Sequence, residues 1–92
     1  MGEISPQFIR AATLRLNPND DVVIATRELP AGTAIAAESV TTAERIPVGH
    51  KVATRAVAQG QPVRRYNQII GTAKVDIAMG QIVSVPPAYS YP

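Results

Sequence analysis

An apolar residue, two variable positions, a glycine, two more variable positions and a second apolar residue recur four times along the chain. The copies are Leu29–Ile35, Ile46–Val52, Val57–Val63 and Ile77–Val83, with Gly32, Gly49, Gly60 and Gly80 at their centres. A glycine held between two short apolar positions predicts a tight turn joining two strands, because such turns often demand a positive φ. Pro30 and Pro47 follow the first apolar residue of the first two copies and are read as presetting those turns. Between the copies the apolar runs are short. Leu14-Arg15-Leu16 alternates, Val22–Ala25 is nearly continuous and reads as a central strand, and Ile69–Ala73 is a strand whose Gly71 suggests a bulge.

Other stretches are punctuated by turn residues. Asn17-Pro18-Asn19-Asp20 is a strong turn cluster, and Asn67-Gln68 reads as a second turn between Val63–Tyr66 and Ile69–Ala73. The segment from Ala36 to Arg45 reads as irregular, entering a strand over 42–46. Thr33–Ile35, His50–Ala53 and Ile82–Val85 complete the strand set, while Thr54–Val57 fits either a strand or one helical turn. The resulting expectation is a mostly β domain of short strands and many turns, with at most one or two helical turns. Residues 1–13 read as a flexible leader, 14–85 as the folded domain, and 86–92 as an extended proline-rich tail.

Composition narrows the picture. With 92 residues the chain is one domain. A chain of this size buries only about 60–65 % of its unfolded surface, so a partner surface is easily accommodated. It contains no cysteine, which removes disulfides and thiolate metal sites. No apolar run is long enough to span a membrane, and residues 1–13 show no basic region followed by an apolar stretch, so no secretory signal is visible. These features fit a cytoplasmic location. The net charge is +2 and its basic residues are interleaved with acids. No phosphate-tracking basic block or set of stacking aromatics is present, which argues against nucleic acid as a partner. Short strands leave open edges, compatible with a homo-oligomer or a second chain.

Candidate chemistry is sparse. His50 is the sole histidine. It follows a glycine turn, where an imidazole can act as acid or base near neutral pH; the other reading is a turn histidine bonded locally. Lys51 beside it can neutralise a carboxylate or be an ordinary exposed lysine. Arg64, Arg65 and Tyr66 alternate along a strand, offering a guanidinium fork for carboxylates or solvated charges that protect an edge. Asp20, Asp21 and Asp76 each sit beside a turn, where structural roles suit them best, Asp20 closing an Asx-type turn and Asp76 receiving backbone N–H groups ahead of Gly80. No histidine or carboxylate spacing forms an independent metal site.

Several longer phrases carry a resemblance. Leu16-Asn-Pro-Asn-Asp20-Asp-Val22, Leu29-Pro-Ala-Gly32, Ile46-Pro-Val-Gly49-His50-Lys51-Val-Ala53, Gly60-Gln-Pro-Val63-Arg-Arg-Tyr66-Asn-Gln68-Ile-Ile-Gly71-Thr-Ala73, and Asp76-Ile77 with Gly80 resemble the SAF domain. The likeness is to the N-terminal domain or small subunit of altronate and galactarate dehydratases, and to the sulfolactate sulfo-lyase small subunit. The Pro-x-Gly-His-Lys and Tyr-x-Gln-x-Ile-Gly phrases are its specific parts.

The resemblance implies a β-clip fold and an accessory role in a sugar-acid hydro-lyase. The site would be carried mainly by a larger subunit or a C-terminal domain, with this chain inactive alone. Within that role His50 is the catalytic candidate, with Lys51, Arg65 and Tyr66, singled out above, as substrate contacts. Any divalent metal would belong to the full complex and not to this chain alone. Three departures matter. Asp21 replaces a usual asparagine, Asn67 a common glycine, and Val83–Pro87 stands where the family ends with a His-x-His-Asn phrase. The last departure keeps a second implication open: a non-catalytic SAF-type binding or assembly module.

Overall fold

The computed structural model describes residues 12–84 and 89–90. Nine short strands form almost all of its regular structure: β1 (Thr13–Leu14), β2 (Val22–Ala25), β3 (Ala34–Ile35), β4 (Val40–Thr41), β5 (Lys51–Ala53), β6 (Pro62–Arg65), β7 (Gln68–Ala73), β8 (Ile82–Val83) and β9 (Tyr89–Ser90). One 3-10 turn, Ala36–Glu38, is the sole helical element among the described residues. The mostly β class expected from the sequence is what the chain adopts. Four strands make an antiparallel sheet in the order β1-β2-β5-β8, β3 pairs with β4, and β6-β7-β9 make a third sheet.

The four glycine phrases organise this architecture as two reciprocal pairs. Leu29 bridges Ile46, and Val57 bridges Ile77. Each bridge is closed by two backbone hydrogen bonds: Leu29 and Ile46 exchange theirs at 2.8 and 2.7 Å, Val57 and Ile77 at 2.9 and 2.8 Å. Each glycine N–H then reaches a carbonyl just ahead of the partner phrase. Gly32 donates to Thr42, Gly49 to Ala25, Gly60 to Ala73 and Gly80 to Ala53, all at 2.8 Å. The four receiving residues donate back to Thr33, His50, Gln61 and Gln81, the residues that follow the glycines.

The turn geometry explains the glycines. The Thr33, His50, Gln61 and Gln81 N–H groups each fold back on the carbonyl three residues earlier. The glycine before each of them has φ between +82° and +87°, as the third position of a type II turn requires. At Gly80 space is decisive as well: a Cβ there would lie 2.2 Å from the Thr41 carbonyl oxygen. Pro30 and Pro47 supply the carbonyls at the first turn position, so they precede the bend and do not preset its second position.

The chain is thereby two copies of one unit: strand, glycine phrase, hairpin, glycine phrase. The first runs through β2, Leu29–Gly32, the β3–β4 hairpin and Ile46–Gly49. The second runs through β5, Val57–Gly60, the β6–β7 hairpin and Ile77–Gly80. Each unit has its own core. Val23, Ala25, Leu29, Ile35, Ile46 and Val52 pack together in the first; Val22, Ala53, Val57, Val63, Ala73, Ile77 and Val83 in the second. Adjacent residues of β2 and of β5 go to different cores, since strand side chains alternate between faces. That accounts for the unbroken apolar run of β2, which has a core on both sides.

Three local expectations are corrected. The strand read over 42–46 lies earlier, at Val40–Thr41, with Ile46 making an isolated bridge. Thr42 is instead a buried clamp whose Oγ1 donates to Pro30 O at 2.7 Å and accepts from Thr33 N at 2.8 Å. The turn read at Asn67-Gln68 falls on Tyr66-Asn67, and Gln68 opens β7 opposite Arg65. The alternation over 63–66 is interrupted by a register shift between Val63 and Arg64, placing the irregularity suggested by Gly71 beside it, where Gly71 faces Val63. Most of the leader read over 1–13 lies outside the described residues, although Thr13 pairs with Ala25 in β1. Within 86–92, Tyr89–Ser90 pairs with Thr72 and Ala73 of β7; the rest of that segment, and Val85, lie outside the described residues.

Candidate functional site

Asp20 and Asp21 end the Asn17–Asp20 turn and are buried, at 5 % and 2 % relative exposure. Burying two carboxylates costs heavily unless each is hydrogen-bonded. Asp20 accepts from the Tyr66 and Asn67 N–H groups, both at 2.7 Å. Asp21 accepts from Arg64 N–H at 2.7 Å and pairs with the Arg55 guanidinium. The Asx-type bond expected of Asp20 is made by Asn17, whose Oδ1 accepts from Asn19 N–H at 2.9 Å. The two acids therefore fasten the β6–β7 hairpin to the central sheet.

That hairpin carries Arg65 and Tyr66. Tyr66 and Asn67 form its two-residue loop with φ of 56° and 58°, the type I′ signature. Asparagine tolerates this region; an aromatic residue pays for it in backbone strain. Tyr66 is nevertheless 65 % exposed, so no core packing repays the strain. Strain held at an exposed aromatic side chain is a pointer to contact with something outside the chain.

Across from the hairpin, Lys51 opens β5 in register with Ile24 on one side and Val83 on the other. It is half-buried. Burial pushes its ammonium below the usual lysine range, and the positive charge of Arg65 pushes in the same direction. Lys51 is thus a partly desolvated cation with a second positive charge, that of Arg65, within electrostatic reach.

His50 immediately precedes Lys51, at the last position of the second type II turn. It is exposed, and its Nδ1 lies 3.3 Å from the Val48 carbonyl oxygen. If Nδ1 carries the proton that this carbonyl accepts, Nε2 is the basic nitrogen of the ring. The structure thus brings Lys51 and Arg65 within electrostatic reach, with Tyr66 following Arg65 and His50 preceding Lys51. His50 and Tyr66 share no hydrogen bond. Val83 lies directly opposite Lys51.

Arg64 is half-buried, its N–H committed to Asp21. Asp76 is exposed and accepts from Gln59 N–H at 2.8 Å, in the partner phrase and not ahead of Gly80. Among the described residues no three histidine, cysteine, aspartate or glutamate side chains cluster as metal ligands. The role of the Asp20–Asp21 pair at long range was missed in the sequence. Its available signal was two consecutive acids heading a strand buried on both faces, a place that tolerates charge only when a distant partner receives it.

Arg15 supports the same corner. Its guanidinium makes a fork to Glu38 at 2.9 and 2.8 Å, and also donates to the Asn17 and Asp20 carbonyls at 2.9 and 3.0 Å. The pair holds Arg15 above its ordinary pKa. No described helix is long and apolar enough to cross a membrane.

Comparison with curated proteins returns no match. Comparison with protein families matches residues 11–87 to the altronate/galactarate dehydratase SAF domain. The match spans all four glycine phrases, the Asp20–Asp21 latch and the His50–Lys51 turn. The chain belongs to the altronate/galactarate dehydratase SAF domain family.

Proposed function

We propose that this domain is the accessory part of a cytoplasmic sugar-acid hydro-lyase, lending substrate contacts to a site carried mainly by a larger chain or domain. The observation that carries the reading is the half-buried Lys51 ammonium within electrostatic reach of Arg65. These two cations receive the carboxylate of a sugar acid, the guanidinium through a two-point contact and the ammonium as a point charge. The strained, exposed Tyr66 borders the same hairpin end and contacts the polyol chain. Loss of water next to a carboxylate needs a base for the α-proton and an acid or metal for the departing hydroxyl. His50 carries one of those protons. The remaining group, and any divalent metal, come from the larger chain.

The test is affinity capture of this chain from cells and reconstitution with any larger dehydratase chain recovered. Turnover is then measured on altronate, galactarate and sulfolactate. Adding this chain is expected to raise turnover. His50→Gln should lower kcat about 100-fold while complex formation is unchanged, and Lys51→Met or Arg65→Gln should act mainly on KM. A complex that assembles with no gain in turnover would instead establish a binding or assembly module, the reading favoured by the absence of histidine from Val83–Pro87.

A further inference from the structure

The two units differ at one place where their backbones agree. In the first unit the residues preceding the bridged pair Leu29–Ile46 are Glu28 and Arg45. They reach toward each other across the bridge: Arg45 Nε lies 2.8 Å from Glu28 Oε2 and Nη2 lies 3.1 Å from Oε1. The residues following the bridged pair are Pro30 and Pro47. In the second unit the preceding residues are Ala56, in the place of Glu28, and Asp76, in the place of Arg45. The following ones are Ala58 and Ala78.

A groove lies at this place in the second unit. A cavity of about 400 Å³ lies over the Val57–Ile77 bridge, lined by Ala56, Ala58, Asp76, Ala78 and Gln81. The charge is reversed where Arg45 stood, and its counter-charge is removed where Glu28 stood. The ion pairs among the described residues are Arg15–Glu38, Arg45–Glu28 and Arg55–Asp21, so Asp76 is in none. Its Oδ1 is held by Gln59 N–H at 2.8 Å, which fixes the carboxylate in advance of any partner. Val75 and Met79, on either side of Asp76–Ala78 in the chain, are 50 % and 53 % exposed. The floor is apolar, and Asp76 is the one charged residue that lines it.

We infer that this groove is a docking site for an arginine side chain of a partner polypeptide, its stem lying on Ala56, Ala58 and Ala78 and its guanidinium on the Asp76 carboxylate. The first unit shows the same backbone frame holding an arginine–carboxylate fork in cis. The second unit carries a carboxylate at the place of the arginine and an alanine at the place of the glutamate, with no cation paired to that carboxylate among the described residues. A guanidinium suits the place better than an ammonium, because its planar fork engages both carboxylate oxygens while its three methylenes cover alanine. The groove belongs to the Val57–Ile77 phrases, not to the His50 turn, so this docking is independent of the proposed sugar-acid site.

The experiment is a titration of the ¹⁵N-labelled full chain with acetyl-Ala-Arg-Ala-amide, followed by amide chemical shifts. The isosteric citrulline peptide serves as the uncharged control. The arginine peptide is expected to give saturable shifts at Gln59 and over 76–81. Asp76→Asn should weaken its binding at least tenfold, and so should Ala56→Arg, which supplies a cation in cis. Both variants are on the surface, and unchanged spectra elsewhere establish that they fold. Equal shifts from the citrulline peptide, or undiminished binding by Asp76→Asn, would overturn the inference, as would absence of saturation. So would shifts in the groove that grow with protein concentration alone, because the occupant would then be a second copy.

Discussion

At the scale of single residues, Lys51 is the most informative. Its charged form is disfavoured in the folded chain, first by burial and then by Arg65. The folded pKa therefore lies below the unfolded one. Between those two values the unfolded state holds more protons, so raising pH through that window stabilises the fold; below it the penalty is constant. Lys51→Met keeps the aliphatic stem and removes the charge. It is expected to be more stable than the parent at pH 7, by less than about 1 kcal/mol because the amine is partly solvated. The advantage should shrink as pH approaches the ordinary lysine range. Urea unfolding of both proteins between pH 7 and 10.5 measures this, and a constant or growing difference would show that Lys51 is not held there against its charge. The same residue lies opposite Val83 in the central sheet.

Among the elements, the β6–β7 hairpin is the one whose place depends on side chains from elsewhere. Its loop amides are received by Asp20 and its strand amide at Arg64 by Asp21. Hydrogen bonds to a charged acceptor contribute about 1.5–3 kcal/mol each. Asp20→Ala leaves two N–H groups without their acceptor and is expected to destabilise the chain by about 3 kcal/mol. Its signature should be local: amide exchange at Tyr66 and Asn67 should accelerate more than exchange at Val52 in the central sheet. Uniform acceleration would mean that the latch serves global stability and does not position the hairpin. Asn17 and Asn19 form the local turn themselves, with Asn19 Nδ2 also reaching Asn67 Oδ1 at 3.3 Å. The turn cluster was legible from composition; its grip on a loop far along the chain was not, because a carboxylate's acceptor capacity does not name its donor.

At the scale of the whole molecule, two units share one sheet. Val22 and Val23 are adjacent in β2 but belong to different cores, as do Val52 and Ala53 in β5. Neither core can lose these strands without exposing the other. The two halves are therefore expected to unfold together, despite the internal repetition that in stacked repeat proteins permits partial unfolding. Leu29→Ala and Ile77→Ala, one in each core, should each cost about 2–5 kcal/mol and shift a single urea transition seen alike by amides of both halves. Separate midpoints for the two units would sink that expectation.

The repeated glycine phrase was readable from the sequence, and with it the turn-dense β class. Type II turns require a positive φ at a fixed place, and glycine marks that place wherever it recurs. The continuous run of β2 likewise announced burial on both faces. Residue chemistry brought His50 and Lys51 forward at one turn and Arg65 and Tyr66 along one strand. Only the folded chain decided that the phrases pair first with second and third with fourth, that Tyr66 and Asn67 make the hairpin loop, and that Asp20 and Asp21 hold it. It also decided that Lys51 feels Arg65, and that Ala56 and Asp76 replace an ion pair across a bridge. Local backbone demands are written in the residues that meet them; which distant groups share a bond or a charge is settled by register and burial, and these exist only once the sheet has closed.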